Sequence, residues 1–480
     1  MVTIYIENTK CKLNGLNDDK IANEIDNLLS YNVQSYQFMR KQTGWDGRYR
    51  LFNKKSGVFP VGLLTMLENV LKAHQIPYNL SDNRTSPVYG ESIKAESNSV
   101  YEARDYQTKA IGLAIQAGSG ILRAATGSGK TYIIAMIAGH YNVNTVIYVI
   151  GKELLYQMKT TIENSLGVEC GVIGDGICNI VKGINVCTIW SAAAAFNKKI
   201  TLLDSDFTKG KALSQDKKQA VRNLVNNAEL FFLDECQYGS TISMQFIHKE
   251  SSSARHRFLL SGTPWREGGD DILIEAISGP KFCDITATEL IEKGWLVKPY
   301  ITFVDIPTIR GVGKTYQEVY DNFIVNNDYR NFKIAESAKI MAEAGRKVLI
   351  LVTKVSHGDV IQEFLDPNLK VNSLNGMNST RDRMQSIQQM KNGELDVMIA
   401  SRIFDQGIDI PELDALILAG SGKSTARALQ RIGRVIRRKK GKSNAVVVDF
   451  FDNCKYLREH SQARYRIYST EPAFKIKRNS

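Results

Sequence analysis

Short apolar runs recur through most of this chain, each followed by a stretch of helical character, and few patterns narrow the choice of fold so much. Gly120 to Ala124, Thr145 to Ile150, Asn185 to Ile189, Leu230 to Leu233 and Arg257 to Leu260 read as buried strands separated by helices. A second series begins near Val297 and includes Lys347 to Val352, Val397 to Ser401, Ala415 to Ala419 and Ala445 to Phe450. Strands that are apolar along their whole length need cover on both faces, and a parallel sheet with crossover helices provides it. Two such series of similar size predict two α/β domains in tandem, with a hinge and a cleft between them.

The chain is 480 residues long, room for about three domains. Residues 1–88 mix the alternation of Val2, Ile4 and Ile6 with helix-like runs at Ile21 to Leu29 and Leu63 to His74, and so predict a small α+β domain. Turn formers crowd Ser81 to Ser92, and a linker is assigned to 89–100. The two α/β domains then occupy 101–285 and 286–480. Apolar residues at 43% and charged residues at 23% suit a globular chain. No apolar run approaches the roughly 18–20 residues that span a bilayer. The start, Met1 to Glu7, lacks a basic segment leading into an apolar one. Seven cysteines show no Cys-x-x-Cys pair, and the histidines fall in no zinc spacing. A cytoplasmic protein with reduced thiols and no membrane association is expected. Lys423 to Ser480 carries sixteen Lys or Arg against four carboxylates, a local balance of +12 that equals the whole chain's. Such a stretch attracts polyanions, or else is a solvated surface with a frayed basic tail.

Ala124-Ala-Thr-Gly-Ser-Gly-Lys-Thr131 follows a predicted strand and opens a predicted helix, Tyr132 to Ala138. In that setting Gly127 and Gly129 let backbone amides turn toward phosphate oxygens, and Thr126 and Ser128 complete the loop. Lys130 is expected on the β and γ phosphates and Thr131 on Mg²⁺. Ala124 stands where the usual pattern has its first glycine. Leu230-Phe-Phe-Leu runs into Asp234-Glu235, a buried strand ending in two carboxylates. Asp234 would hold Mg²⁺ and Glu235 would polarise an attacking water. A lone Asp-Glu pair is often only an exposed turn, but Lys130 upstream gives this one a partner. In Gln430-Arg-Ile-Gly-Arg-Val-Ile-Arg437, Arg434 and Arg437 are expected on adjacent turns of one helical face, supplying charge for phosphoryl transfer.

These elements, in this order, resemble the superfamily 2 helicases over roughly residues 100 to 450. Arg104-Asp-Tyr-Gln107 looks like the upstream adenine-reading element, with Gln107 as the specifying amide. Ser261-Gly-Thr-Pro264 looks like the segment coupling nucleotide state to the nucleic-acid track through Ser261 and Thr263, and Gln430 is carried over as a third coupling residue. Phe404 to Pro411 looks like the motif that brings Gly407 near phosphate and Asp409 near the ribose. Asp234-Glu-Cys-Gln237 departs from the family by placing Gln237 where histidine is usual. A narrower resemblance is to the phage UvsW-type helicases, through Gly313 to Glu318, Lys354 to Gly358, Tyr36 to Phe38, Gly44 to Arg50 and Phe59 to Leu63. The resemblance implies an α/β fold of two tandem RecA-like parallel-sheet lobes preceded by a small α+β amino-terminal domain. It also implies ATP and Mg²⁺ as cofactors and 3′-to-5′ movement on DNA. The partners implied are forked or branched DNA and RNA–DNA hybrids, worked on by a monomer through fork reversal, Holliday junction migration and loop unwinding.

In the first domain Arg40, Arg48 and Arg50 alternate with Trp45 and other rings. Cations beside planar rings can hold a phosphate backbone and stack an unpaired base, or the rings can be core and the charges merely solvated. Three other readings remain: an RNA helicase or a restriction-system translocase on the same motor, a non-catalytic binding module, and a metabolic kinase with a phosphate loop. A binding module would leave Lys130, the carboxylate pair and the paired arginines without a purpose, and a kinase would need neither a second α/β lobe ending in those arginines nor the terminal +12.

Overall fold

A computed structural model of the protein describes residues 1–33, 45–95, 102–197, 214–264, 269–309, 311, 313–401, 413–420, 422 and 424–479. The chain divides into two compact units, one comprising Met1–Ala124 and Ser128–Ile285, the other Thr286–Ser480 with Ala125–Gly127.

The first unit opens with β1 (Val2–Ile6), β2 (Lys10–Asn14), β3 (Ser30–Asn32), β4 (Arg48–Arg50), β5 (Val58–Pro60) and β6 (Tyr78–Asp82). Four of these form a sheet in the order β5-β2-β1-β6, in which β6 runs parallel to β1, and β3 pairs with β4 apart from it. The alternation of Val2, Ile4 and Ile6 points one face of β1 at the helices Asp19–Leu28 and Leu64–Ala73, burying Ile25, Leu67 and Leu71. Strand β6 pairs through Ser81 and Asp82, so regular structure continues into the stretch whose turn formers suggested a linker. Tertiary pairing with β1 outweighs that local preference.

This sheet is seated on the larger part of the unit. Gly62 fits because it has no side chain: a Cβ there would lie 1.9 Å from the Glu275 carbonyl oxygen. The buried Arg257 guanidinium donates to the carbonyl oxygens of Asn8 (2.5 Å), Ser251 (2.7 Å) and Ala254, while Asn8 Nδ2 donates to the Ser252 carbonyl (2.8 Å). Burial holds the Arg257 pKa down at about 9, so it is still charged at neutral pH.

The larger part is built on β7 (Gly120–Ala124), β8 (Thr145–Val149), β9 (Gly171–Gly174), β10 (Ile177–Asn179), β11 (Ile184–Thr188), β12 (Leu230–Asp234), β13 (His256–Ser261) and β14 (Lys281–Ile285). Their order is β10-β9-β11-β8-β12-β13-β7-β14, and only the β9–β10 pair is antiparallel. Ile121, Val146, Phe231, Leu233 and Leu259 are fully buried within it, as uniformly apolar strands require.

The second unit repeats the plan with β15 (Lys298–Ile306), β16 (Val348–Leu351), β17 (Val371–Leu374), β18 (Val397–Ala400), β19 (Ala415–Ile417), β20 (Asn444–Asp452) and β21 (Lys475–Asn479). All are parallel, in the order β17-β18-β16-β19-β20-β15-β21. The basic end of the chain is therefore not a frayed tail. Residues 475–479 pair with β15, and Arg478 reaches Asp305 (2.8 Å) and stacks over Phe451. Further in, Arg464 is buried against Asp449 (2.9 Å), and Arg330 against Asp452 (2.9 Å). No helix among the described residues is long and apolar enough to cross a membrane.

Candidate active site

Strand β7 ends at Ala124, and the helix Lys130–Tyr141 begins six residues later. Gly127 and Gly129 adopt φ of 88° and 79°, which a side chain would strain. At Gly129 space adds a second reason, since a Cβ would lie 2.3 Å from Gln107 Nε2. Gln107 is buried, its Nε2 donates to the Ser128 carbonyl (2.8 Å), and its Oε1 accepts from the Arg104 backbone N–H (2.9 Å). Tyr106 adds its hydroxyl to the same Ser128 carbonyl (3.0 Å), and Arg104 Nη1 donates to that hydroxyl (2.8 Å). The amide expected to read adenine thus holds the loop. One N–H and one lone pair remain on it for a base. The Lys130 ammonium lies 3.4 Å from the Ala124 carbonyl.

Asp234 ends β12, which lies between β8 and β13. It is buried, and its pKa is raised to about 6 by loss of water and by the Glu235 carboxylate, against the pull of the Lys130 ammonium. Glu235 has φ +60°, uncommon for a residue with a side chain and costly to hold. That turn breaks strand alternation and directs the Glu235 carboxylate toward the end of β13. There Gln237 Nε2 donates to Glu235 Oε2 (3.0 Å), Ser261 Oγ donates to Gln237 Oε1 (2.8 Å), and the Thr263 N–H donates to Ser261 Oγ (3.1 Å). The hydrogen bonds run one way, from Thr263 to Glu235. Gln237 was visible in the sequence only as a departure from histidine. A neutral amide offers donor and acceptor at every pH, whereas a protonated imidazole cannot accept.

These residues suit a nucleotide with Mg²⁺. Glycines without Cβ shape the loop, and Ser128 Oγ is buried there without a hydrogen-bond partner. No cluster of three or more His, Cys, Asp or Glu that could hold a metal occurs among the described residues. Mg²⁺ bound through one or two protein oxygens plus phosphate needs none, and Thr131 and Asp234 would serve.

Ionised Asp234 costs stability. With a folded pKa of about 6 the carboxyl is neutral in folded and unfolded states below about pH 4, so no cost arises there. The cost develops as pH rises from about 4 to 6 and is complete above, at about 3 kcal/mol. Asp234→Asn is therefore expected to melt at a higher temperature than the parent at pH 8, with the gain vanishing near pH 4. Equal melting at pH 8 would contradict the buried-carboxylate account.

In the second unit Gln430 and Arg434 lie on the helix Thr425–Val435. Arg437 does not share their helical face. The helix ends at Val435, the Val297 N–H takes the Ile436 carbonyl (2.8 Å), and Arg437 forms an isolated backbone bridge with Leu296. Pairing with a neighbouring segment stops the helix before it reaches Arg437, which the sequence placed on the same face as Arg434. Gly407 and Asp409 lie outside the described residues, as does Arg40.

Of the other proposed nucleic-acid residues, Arg50 is engaged by Asp46 (2.5 Å) and Asp26 (2.8 Å), and these bonds push its pKa up. Arg48 donates to Asn27 Oδ1 (2.9 Å), and Trp45 Nε1 to the Arg48 carbonyl (3.2 Å). Phe52 belongs to the core, whereas Tyr49 is 52% exposed. The ring-rich segment thus divides between core, at Phe52, and exposed surface, at Tyr49, with Arg50 held in ion pairs inside the domain.

The family model described as "Type III restriction enzyme, res subunit" matches residues 100–266, and "Helicase conserved C-terminal domain" matches 332–439. An ATP-dependent DNA helicase of Enterobacteria phage T4, uvsW, is 24% identical over 459 residues, covering 91% of this chain and 88% of its own. The DNA 3′-5′ translocase XPB2 of Sulfurisphaera tokodaii is 25% identical over 408 residues, 77% of this chain and 84% of that protein. The DNA-bound structure of the ATP-dependent Type ISP restriction-modification enzyme LlaBIII superposes with a TM-score of 0.55 at 14% identity, over 85% of this chain and 33% of that one, a likeness of fold. With two RecA-like parallel-sheet lobes, a phosphate loop ahead of Asp234-Glu235, and family matches on both lobes, the chain belongs to the superfamily 2 helicases, enzymes that use ATP.

Proposed function

We propose that this protein is an ATP-dependent DNA helicase or translocase that remodels branched DNA, reversing forks, migrating Holliday junctions and unwinding displacement or RNA-containing loops. The observation that supports it most is the one-way chain from Thr263 through Ser261 and Gln237 to Glu235. It ties the residue that would orient water to the segment expected to sense nucleic acid, as a motor requires.

ATP is held by Thr126 to Thr131, with Arg104 and Gln107 at the adenine end and Asp409 at the ribose. Thr131 and Asp234 would hold Mg²⁺, which when bound would supply positive charge beside the phosphates. Glu235 positions water, Lys130 bears on the γ-phosphate with Gly407 nearby, and Arg434 and Arg437 stabilise the charge that develops. Gln430, Ser261 and Thr263 couple this to the strand. Phosphate-backbone contacts position the DNA without reading its sequence, and Trp45 and Arg48 add to them from the amino-terminal domain. The likeness to uvsW, a DNA helicase, covers 91% of this chain and supports DNA as the substrate, and the likeness to XPB2, a DNA 3′-5′ translocase, supports 3′-to-5′ movement.

The test is ATP turnover and product formation on forks, Holliday junctions, displacement loops, RNA–DNA hybrids, plain duplex, single-stranded DNA and RNA. Forks and four-way junctions are expected to stimulate turnover most and to be converted to rearranged products. Greater stimulation by RNA would make the chain an RNA helicase. Stimulation by plain duplex, with no strand rearranged, would indicate a translocase of the restriction kind.

A further inference from the structure

Two sequence segments remain without a task, Gly313 to Glu318 and Lys354 to Gly358. The fold brings them together at the carboxyl ends of β15, β16, β19 and β20, the edge where open α/β sheets bind ligands. Tyr320 OH and Thr353 Oγ1 both donate to the Gly420 carbonyl (2.6 and 3.1 Å), and Thr308 Oγ1 donates to that of Asn453 (2.7 Å). On this base stand two outward rings, Tyr316, 42% exposed, and Tyr456, 36% exposed. They meet edge to face at 6.1 Å, and His460 closes the group 5.7 Å from Tyr316.

Tyr456 is held there at a cost. Its φ of +66° and ψ of −44° place it at the centre of a γ-turn closed by the Leu457 N–H on the Lys455 carbonyl (2.8 Å), a form that is rare and strained. A side chain kept in such a backbone without being buried points to a use for the side chain. Its hydroxyl donates to the Lys314 carbonyl (3.2 Å), which ties the turn to the first segment. The short π-helical turn Asp321–Val325 lies directly behind, and such turns favour functional sites.

Charge selects the occupant. Lys314, Lys455 and Arg458 are exposed around the rings, and the Lys455 ammonium lies 4.7 Å over the Tyr456 ring. Of the nearby carboxylates, Asp321 is paired with Lys354, and Glu318 accepts the Lys314 and Thr315 N–H groups in a helix cap. Glu459 is exposed. An exposed tyrosine ring braced at its edge by a second ring and surrounded by cations suits an unpaired base on its phosphate backbone.

We propose that Tyr456 and Tyr316 form a stacking platform for an unpaired base of single-stranded DNA on the second lobe, with Lys455 moving from the ring to a phosphate as the base arrives. This rests on the nucleic-acid motor described above.

The experiment is binding of the full chain to a fluorescent 20-mer of oligothymidylate, and to a 20-base-pair duplex, over a range of salt concentrations. Tyr456→Gly removes the ring while relieving the positive-φ backbone, so it is expected to fold with an unchanged or higher melting temperature. It should bind the single strand about 10-fold more weakly, with an unaltered salt slope and duplex affinity within about twofold. Tyr456→Phe keeps the ring and should bind as the parent does, although its bond to Lys314 is gone. Lys455→Ala should instead flatten the salt slope by about 0.7. Single-strand affinity of Tyr456→Gly equal to the parent's, or an equal loss on duplex, overturns the platform. Failure of the parent itself to bind either DNA defeats the motor reading instead.

Discussion

Lys130→Ala is expected to lower ATP turnover by on the order of a thousandfold in a protein that still folds. Two losses combine. The ammonium proposed to bear on the β and γ phosphates disappears, and with it the charge that restrains the pKa of Asp234. That carboxyl is raised to about 6 even with Lys130 in place, because it is buried beside Glu235. Without the lysine it moves higher, and more of it is protonated at neutral pH, where a metal ligand must be ionised. The variant should therefore need more Mg²⁺ for the turnover that remains, and raising the pH should recover part of the metal affinity but not the lost turnover. Phosphate release against Mg²⁺ concentration at pH 7 and 8.5 checks this. Turnover within threefold of the parent would remove Lys130 from the site.

Arg437→Ala is expected to leave nucleotide binding nearly unchanged while slowing hydrolysis about 10³-fold or more. The backbone at Arg437 is fixed by its bridge to Leu296 and by the neighbouring Val297–Ile436 bond, so trimming the side chain leaves the local fold in place. Arg437→Lys keeps the charge but loses the planar fork, and should recover only part of the rate. Single-turnover hydrolysis with nucleotide at saturation separates the two steps. A weakened nucleotide affinity with an unchanged hydrolytic rate would make Arg437 a binding residue and defeat the assignment.

The parts of this molecule that could be read from its sequence are those where one physical demand dominates. Leu230 to Leu233 is apolar at every position, and only a strand covered on both faces satisfies that. The phosphate loop was legible because Gly127 and Gly129 occupy positions that strain any other residue. Strand β21 was not, since Lys475-Ile-Lys-Arg-Asn479 reads as solvated charge until Asp305 and Phe451 supply partners for Arg478. Short strands such as β9 and β17 contain Gly or Ser and gain their identity from neighbours far along the chain. The role of Gln237 depends on the ends of β12 and β13 lying side by side and on an unusual φ at Glu235, neither of which leaves a mark in local composition. The end of the helix before Arg437 is likewise set by Leu296, which is remote in sequence.

Main-chain atoms make up part of the seam that seats the amino-terminal sheet. Arg257 grips three carbonyls, and Gly62 nestles against the peptide groups of residues 275–279. Peptide oxygens are the same whatever side chain they carry, so residues lining this joint can drift through many substitutions while its shape persists. Least free to drift are Arg257 and Asn8, for the carbonyls their side chains reach, and Gly62, for its lack of a side chain. A hybrid joining this amino-terminal sheet to another motor would therefore depend strongly on those positions.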